Sequence, residues 1–463
     1  MDIILLHALA QTGEGPPETN VTGVFPPLGL ATLAGCLREA GHTPRVLDAH
    51  ALRLTARLAA AQVPDDFDGL LVFSTTTLNW RNTLALIRAC RRRAPRAVTV
   101  VGGPHLDLYP EETASSADVD FAVVGEGDTS LPALAEALAN DGDALAIPGV
   151  VRSGEDGVEF GPPPQVVDLD QTPLPAWDLM PLGHYRAITV LHPFATMVSG
   201  RGCPFHCRFC SQRYAGGSFH RMSPARLTRE WLYLVKEIGV REIVHFDETF
   251  AMGEDYLAEV AARVTAGGGV IPNNARSRCD TITPPLIQSL ARIGTHTLHL
   301  GIEAGSDEAL ARMNKGITVA QVRRAVAMVK DAGLLARGYF MLAYPDDTPA
   351  DALRTIELAR SLPLDAASFT LTVLNPGTAI YEDALARGEI DDYWSAWAKS
   401  EPVSPAPPRP RHSLGGESQL RRTLRRAYVS FYLRPAVWWN LATQRRLWRW
   451  IPSWLRAVMR RGR

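Results

Sequence analysis

Ser199-Gly-Arg-Gly-Cys203-Pro-Phe-His-Cys207-Arg-Phe-Cys210 packs three of the chain's six cysteines into eight positions. Disulfide frameworks spread cysteines in pairs, so this crowding points to a metal centre. Three thiolates on one loop can hold three irons of a 4Fe–4S cluster and leave the fourth open to a small chelating molecule. A closed zinc site would need a fourth Cys or His. His206 is poorly spaced for that role, and Cys279 is remote in sequence.

The loop follows an apolar run, Thr196–Ser199, and opens a regular alternation. Further strands are expected at Glu242–Phe246, Leu298–Ile302, Gly338–Leu342 and Ser368–Val373, with helices starting near Pro224, Glu254, Pro284, Val319 and Pro349. That pattern predicts a partial (β/α) TIM-type barrel over residues 191–400, with its chemistry at the C-terminal strand ends. Upstream, Ile3–Leu6, Arg45–Leu47, Gly69–Phe73, Val98–Val101 and Phe121–Val124 read as strands. Leu28–Ala40, Trp80–Arg93 and Leu131–Ala139 read as helices. The α/β class therefore covers both halves, the first (1–145) being a Rossmann-like, doubly wound parallel sheet. Its strand ends carry Ser74-Thr-Thr-Thr77, Gly102-Gly-Pro-His105 and Gly125-Glu-Gly127, where such sheets bind ligands. No G-x-G-x-x-G follows the first strand, which argues against NAD. Residues 146–190 are rich in Pro and read as a linker with a hairpin around Gly149–Phe160.

The composition is that of an ordinary globular protein, 46% hydrophobic and 21% charged. The net charge of −1 conceals an asymmetry: from Gln419 onward there are twelve Arg and no Lys, Asp or Glu, leaving about −13 for the first 418 residues. The region 401–463 is thus a small, basic, Trp-rich helical tail. Its Leu420, Leu424 and Tyr428 fall on one helical stripe, with Arg421, Arg422, Arg425 and Arg426 largely off it. Two readings stand: the aromatic face packs on the body, or the tail makes peripheral contact with an anionic membrane. Nucleic acid is not expected, since nothing else reads as a groove or stacking platform. The N-terminus lacks the basic region of a signal peptide, so a cytoplasmic enzyme is expected.

The cysteine loop resembles the radical S-adenosylmethionine (SAM) signature, C-x-x-x-C-x-aromatic-C. The resemblance extends over about residues 1–390 to the branch with an N-terminal cobalamin-binding domain, through Phe25-Pro-Pro-Leu-Gly-Leu-Ala-Thr-Leu-Ala34, Val101-Gly-Gly-Pro-His105, Val124-Gly-Glu-Gly-Asp128 and Asn375-Pro-Gly-Thr378. It implies that Cys203, Cys207 and Cys210 ligate a 4Fe–4S cluster. For SAM it implies Phe209 near the adenine, Asp247 and Glu248 of Phe246-Asp-Glu-Thr-Phe250, and Gly301, Glu303 and Ser306 of His299-Leu-Gly-Ile-Glu-Ala-Gly-Ser306. Gly301 and Gly305 would clear room for a ligand; Glu303 would accept from ribose or ammonium, the alternative being a carboxylate in an ion pair. Met341-Leu-Ala-Tyr-Pro-Asp-Asp-Thr348 departs from the glycine-bearing family turn. Cys279 is expected in the core rather than as a catalytic thiol.

For cobalamin the resemblance implies contacts from Ser74, Thr75, Gly102, Gly103, His105, Gly125, Glu126 and Gly127. Asp48-Ala-His50 lacks the glycine of the D-x-H-x-x-G loop and follows the second strand, so no axial histidine on cobalt is expected. The implied activity is methylation of an unactivated carbon of a small-molecule substrate, lipophilic in some relatives. Oxidative-cyclase-like ring formation or rearrangement is the alternative, and a reductant such as flavodoxin or ferredoxin would be the electron donor.

Overall fold

The computed structural model describes residues 1–9, 23–187, 190–211, 219–435, 437 and 438. The chain divides into two compact units: one of Met1–Arg186 with Arg213–Ser218 and Asp392–Ala406, the other of Ala187–Gln212, Phe219–Asp391 and Pro407–Arg463.

In the first unit β1 (Asp2–His7), β2 (Thr43–Asp48), β3 (Leu70–Ser74), β4 (Val98–Gly102) and β5 (Phe121–Val123) run parallel. β6 (Val150–Gly154) and β7 (Gly157–Phe160) form the expected hairpin, but it adds antiparallel strands to the same sheet. The seven strands lie in the order β2-β1-β3-β4-β5-β6-β7. β1 and β3 are almost wholly apolar and buried on both faces, as a sheet covered by helices on either side requires. The order 2-1-3-4-5 is that of a flavodoxin-like fold, whose ligand crevice lies at the β1/β3 switch point.

Two expected boundaries are corrected here. Residues 146–186 of the expected 146–190 linker belong to the first unit: the Pro-rich stretch packs back on it through the fully buried Trp177 and Tyr185. Tyr185 donates its hydroxyl to Asp48 at 2.9 Å, and the amide of Ala176 donates to Ala31 O. Proline cannot build a ladder, so the segment is held by aromatic burial and single hydrogen bonds instead. The helix Tyr393–Ala398, expected in the barrel, also belongs to the first unit. Trp80 Nε1 donates to Ala398 O at 2.7 Å, Trp397 Nε1 donates to Thr77 O at 2.8 Å, and Arg81 lies over the Trp397 ring at 4.1 Å.

The second unit opens with β8 (Phe194–Met197). A two-stranded ribbon, β9 (Gly200–Arg201) with β10 (His220–Arg221), then brackets the cysteine loop. β11 (Glu242–His245), β12 (Asn273–Arg278), β13 (Thr295–Glu303), β14 (Leu335–Leu342) and β15 (Ala366–Leu371) follow. With β8 they make an open, all-parallel six-stranded sheet in the order β15-β14-β13-β12-β11-β8. The outer helices start where expected, with Pro at the first positions of Pro224–Lys236, Pro284–Arg292 and Pro349–Ser361, capped by Ser223 and Thr348 on the first and third. β12 is the strand that sequence patterning missed. Asn-Asn-Ala-Arg-Ser-Arg shows little apolar alternation because its alternate residues face a polar barrel interior.

The helix Glu417–Tyr432 packs along the open edge of β15. The Tyr428 hydroxyl meets both N and O of Phe369 (3.2 and 3.1 Å), and the Tyr432 hydroxyl both N and O of Ala367 (3.3 and 2.9 Å). Arg421, Arg422, Arg425 and Arg426 are all exposed on the rest of the helix surface. Arg434 donates to the carbonyls of Arg360, Leu362 and Leu364, closing the C-terminal end of Pro349–Ser361. The remaining tryptophans of the tail, Trp439, Trp448, Trp450 and Trp454, lie outside the described residues. Among those described, no helix is long and apolar enough to cross a membrane.

Candidate functional site

Cys203, Cys207 and Cys210 are half-buried on the loop that leaves β9, and none of the six cysteines is in a disulfide. Arg278, the last residue of β12, donates to Cys207 Sγ at 3.6 Å. The same guanidinium is clamped by both oxygens of Asp280 at 2.9 Å, donates to Lys315 O and lies over the Phe205 ring at 3.8 Å. Burial holds the Cys207 thiol above its ordinary value, with the charges of Lys315 and Arg278 acting against that rise. Cations beside a cysteine favour the thiolate, which is the form that binds iron. Among the described residues no three His, Cys, Asp or Glu converge on a single-ion site. A 4Fe–4S cluster takes one thiolate per iron and needs no such convergence. The thiols and their cationic neighbour suit that cluster.

Glu303 ends β13 after a register shift between Gly301 and Glu303, with a φ of 68°. That conformation is costly for a residue with a side chain, and such outliers cluster at functional sites. It turns the buried carboxylate onto Lys315 Nζ at 2.9 Å. Burial would lower the Lys315 ammonium, yet Glu303 and Cys207 outweigh it and hold it above its ordinary value. A Cβ on Gly301 would sit 2.7 Å from Glu303 Oε1 and 2.8 Å from Lys315 Nζ. The room at Gly301 is therefore filled by this ion pair, and Lys315 also lies 5.6 Å from the centre of the Phe209 ring. Gly305 clears room for protein rather than ligand: a Cβ there would meet the Arg354 backbone at 2.3 Å. Ser306 caps the helix Asp307–Arg312 by accepting from Ala309 N at 3.3 Å.

Asp247 is buried just beyond β11 and accepts from the backbone and hydroxyl of Ser199 through Oδ1. Its Oδ2 has no hydrogen-bond partner among the described residues. Glu248 is exposed, and Cys279 is a core thiol pushed up to about 12 by burial. Arg278 and Lys315 were not read as site residues from the sequence. For Arg278 the available signal was a cation at the end of a barrel strand, hidden because β12 breaks the apolar alternation of a strand.

In the first unit, Ser74 and Gly102 are half-buried at paired ends of β3 and β4. A Cβ on Gly102 would meet only Val123 O, at 3.8 Å, so the floor beside it is open. Gly103, at a φ of 100°, brings its backbone against Thr75, whose hydroxyl pairs with Thr83 at 2.9 Å. His105 is fully buried, stacked on Trp80 at 4.8 Å, with Nδ1 3.1 Å from Thr77 Oγ1. Burial lowers it to about 3. Gly125 N donates to Asp107 at 2.8 Å, and Glu126 Oε2 accepts from Val167 N at 2.9 Å. Gly127 starts the helix Gly127–Ala139, and a Cβ on it would lie 3.2 Å from the Leu33 side chain. His50 follows an Asp48 carboxylate that is spent on His7, Tyr185 and the amides of His50 and Ala51.

A profile of the radical SAM superfamily matches residues 197–359, and one of the B12 binding domain matches residues 19–135. An uncharacterized methyltransferase of Pyrococcus horikoshii is 33% identical over 91% of this chain and 92% of its own length. The chain belongs to the radical SAM superfamily. It is a member with a B12-binding domain, and its cofactors are a 4Fe–4S cluster, SAM and cobalamin. The anaerobic magnesium-protoporphyrin IX monomethyl ester cyclase of Rubrivivax gelatinosus is 24% identical over 85% of this chain and 72% of its own. Among solved structures, the radical SAM methyltransferase TsrM of Kitasatospora setae, with cobalamin and a 4Fe–4S cluster bound, superposes with a TM-score of 0.66. It is 19% identical, with 83% of this chain and 75% of that one covered, and so shares the fold.

Proposed function

We propose that this radical SAM enzyme methylates an unactivated carbon of a small-molecule substrate. The observation that carries the reading is the three-cysteine loop at the C-terminal end of a parallel barrel sheet, in a chain whose other sheet has the 2-1-3-4-5 order. When bound, the cluster and SAM supply a 5′-deoxyadenosyl radical and cobalamin supplies a methyl group. Cys203, Cys207 and Cys210 would hold the cluster, with Arg278 compensating thiolate charge. Asp247, whose buried Oδ2 has no hydrogen-bond partner among the described residues and lies 3.6 Å from His245 Nδ1, would accept from the SAM ammonium. Glu303 and Lys315 would meet its polar groups as a preset pair, and Phe209 its adenine. Ser306 and Glu248 contribute less, one being a helix cap and the other exposed.

Cobalamin would lie on the Ser74, Thr75, Gly102 and Gly103 strand ends, with Gly125, Glu126 and Gly127 shaping the neighbouring loop and His105 supporting it from the core. A flavodoxin or ferredoxin would deliver the electron. The helix Glu417–Tyr432 spends its tyrosines on β15, which leaves only its arginine face for any anionic membrane. The test is turnover of the reconstituted holoenzyme with methyl-deuterated SAM and candidate substrates, read by mass spectrometry. Deuterated methyl in the product with 5′-deoxyadenosine is the expected result. Deoxyadenosine with an unmethylated, ring-closed or rearranged product would replace methylation with the cyclase-like reaction.

A further inference from the structure

The helix Glu417–Tyr432 has two unlike sides. At about 3.6 residues per turn, Leu420, Ala427 and Phe431 fall together on one side, and all three are buried. Arg421, Arg422, Arg425, Arg426, Val429 and Leu433 fall within about 140° of one another on the opposite side, and each of them is exposed. Three of the nine exposed large hydrophobic residues among those described, Val429, Leu433 and Trp438, lie within ten positions of one another. The outer surface is therefore cationic over the first turns of the helix and turns apolar toward its end.

Charge on this surface is largely uncompensated. Arg421 pairs with Glu417 at 3.0 Å, but among the described residues Arg422, Arg425 and Arg426 have neither a carboxylate partner nor a side-chain hydrogen bond. The sequence beyond the helix adds more arginine and no acidic side chain, whereas the first 418 residues carry about −13. A partner that fits this side of the helix is anionic, and it offers an apolar layer to Val429 and Leu433. The aromatic residues of the helix lie elsewhere. Tyr428 and Tyr432 bond to β15 and Phe431 is buried, so the helix presents no outward ring on which a base could stack. Cations beside aliphatic surface match the headgroup boundary of an anionic bilayer.

We propose that the outer side of Glu417–Leu433 docks this enzyme on the surface of an anionic phospholipid membrane. Arg421, Arg422, Arg425 and Arg426 meet the lipid phosphates, which suit the planar guanidinium fork, while Val429 and Leu433 reach the acyl boundary. The apolar stripe of the helix packs on β15, so the helix stays at headgroup level and the contact is peripheral, reversible and salt-sensitive. The acidic remainder of the chain is repelled by the same membrane, so this side of the second unit is the one that approaches. The docking stands apart from the methyl transfer proposed above, and neither depends on the other.

Co-sedimentation of the full-length protein with two kinds of vesicle tests this: equal parts phosphatidylglycerol and phosphatidylcholine, and phosphatidylcholine alone. The wild type should pellet with the anionic vesicles, come off them as salt rises, and ignore the neutral ones. Arg422→Gln and Arg426→Gln should each weaken binding about 5-fold, the effect of one guanidinium at such a surface. Leu433→Gln should weaken it at every salt concentration, and Arg88→Gln, in an exposed pair with Asp118, should leave it unchanged. A wild type that stays in solution with anionic vesicles at low salt, or Gln variants that bind as it does, would overturn the proposal. Binding to polyuridylate as tight as to anionic vesicles, and indifferent to Leu433→Gln, would give the surface to nucleic acid instead. Self-association without lipid binding, lost in the Gln variants, would give it to a second copy; either outcome also overturns the docking. Should a variant melt abnormally, protection of wild-type Arg422 and Arg425 from phenylglyoxal by anionic vesicles takes its place: protection supports the docking and its absence sinks it.

Discussion

Gly301 and Gly305 lie four residues apart at the end of one strand and serve different purposes. The first leaves space that the Glu303–Lys315 pair occupies, and the second lets β13's exit pass against the backbone of Arg354. Sequence reasoning saw two glycines and one ligand; which atoms come near each glycine depends on contacts with residues up to about 50 positions away. The cysteine loop is the opposite case, since its spacing alone specifies the centre. Alanine at Cys203, Cys207 or Cys210 should abolish the brown cluster absorbance and SAM cleavage. Alanine at Cys36, Cys90 or Cys279, all buried and outside any disulfide, should leave both intact. A triad variant with a full cluster and normal cleavage would contradict the assignment. His105 offers a pH test. Its folded pKa, about 3, lies below the ordinary value of 6.5, so between those limits only the unfolded chain takes up the proton. Stability should fall as pH drops through that window, by up to about 1.4 kcal/mol per unit. His105→Phe keeps the stack on Trp80 and removes the proton uptake. Between pH 7.5 and 5 the variant should lose about 2 kcal/mol less than the wild type, read from urea midpoints. Equal losses would show that His105 is not buried neutral.

At the scale of elements, the open edge of the barrel sheet explains the C-terminal helix. An unpaired edge strand invites pairing with other chains, and proteins cover such edges. Here two tyrosine hydroxyls, one helical turn apart, each satisfy a donor and an acceptor of β15. Tyr428→Phe and Tyr432→Phe should each cost about 1–2 kcal/mol by thermal melting. The amides of Phe369 and Ala367 should exchange hydrogen faster, and the double variant should self-associate in light scattering. Unchanged exchange at both amides would mean that the helix does not cover the edge. The Leu420–Leu424–Tyr428 stripe was legible in the sequence, since it needs only helical periodicity. Its target was not, because an edge exists only after six strands have assembled. β12 was hidden for the reverse reason: a strand facing a polar interior breaks the alternation by which strands are recognised.

Across the whole molecule, each unit has its own sheet, and the B12-binding and radical SAM regions divide between them. Calorimetry should therefore resolve two transitions. Hydroxocobalamin at a hundred times its Kd should stabilise the first unit by about 2.7 kcal/mol and raise only its transition. Cys207→Ala should leave that shift unchanged. A single transition, or cobalamin moving both together, would contradict independent units.

The sequence by itself determined the chemistry of the cluster and the α/β class of both units. Both are local properties, one a spacing on a single loop and the other the alternation of apolar runs along the chain. The cobalamin and SAM assignments also came from it, because short strand-end motifs survive in linear order. Tertiary structure alone decided which charges meet. Lys315 with Glu303, Arg278 with Cys207, and Arg276 in register with His299 and Arg337 join residues 12 to 71 positions apart. Parallel strands are separated by whole helices, so the neighbours within a barrel layer are never neighbours in the chain. The electrostatics of the barrel interior arise only when the sheet closes that distance.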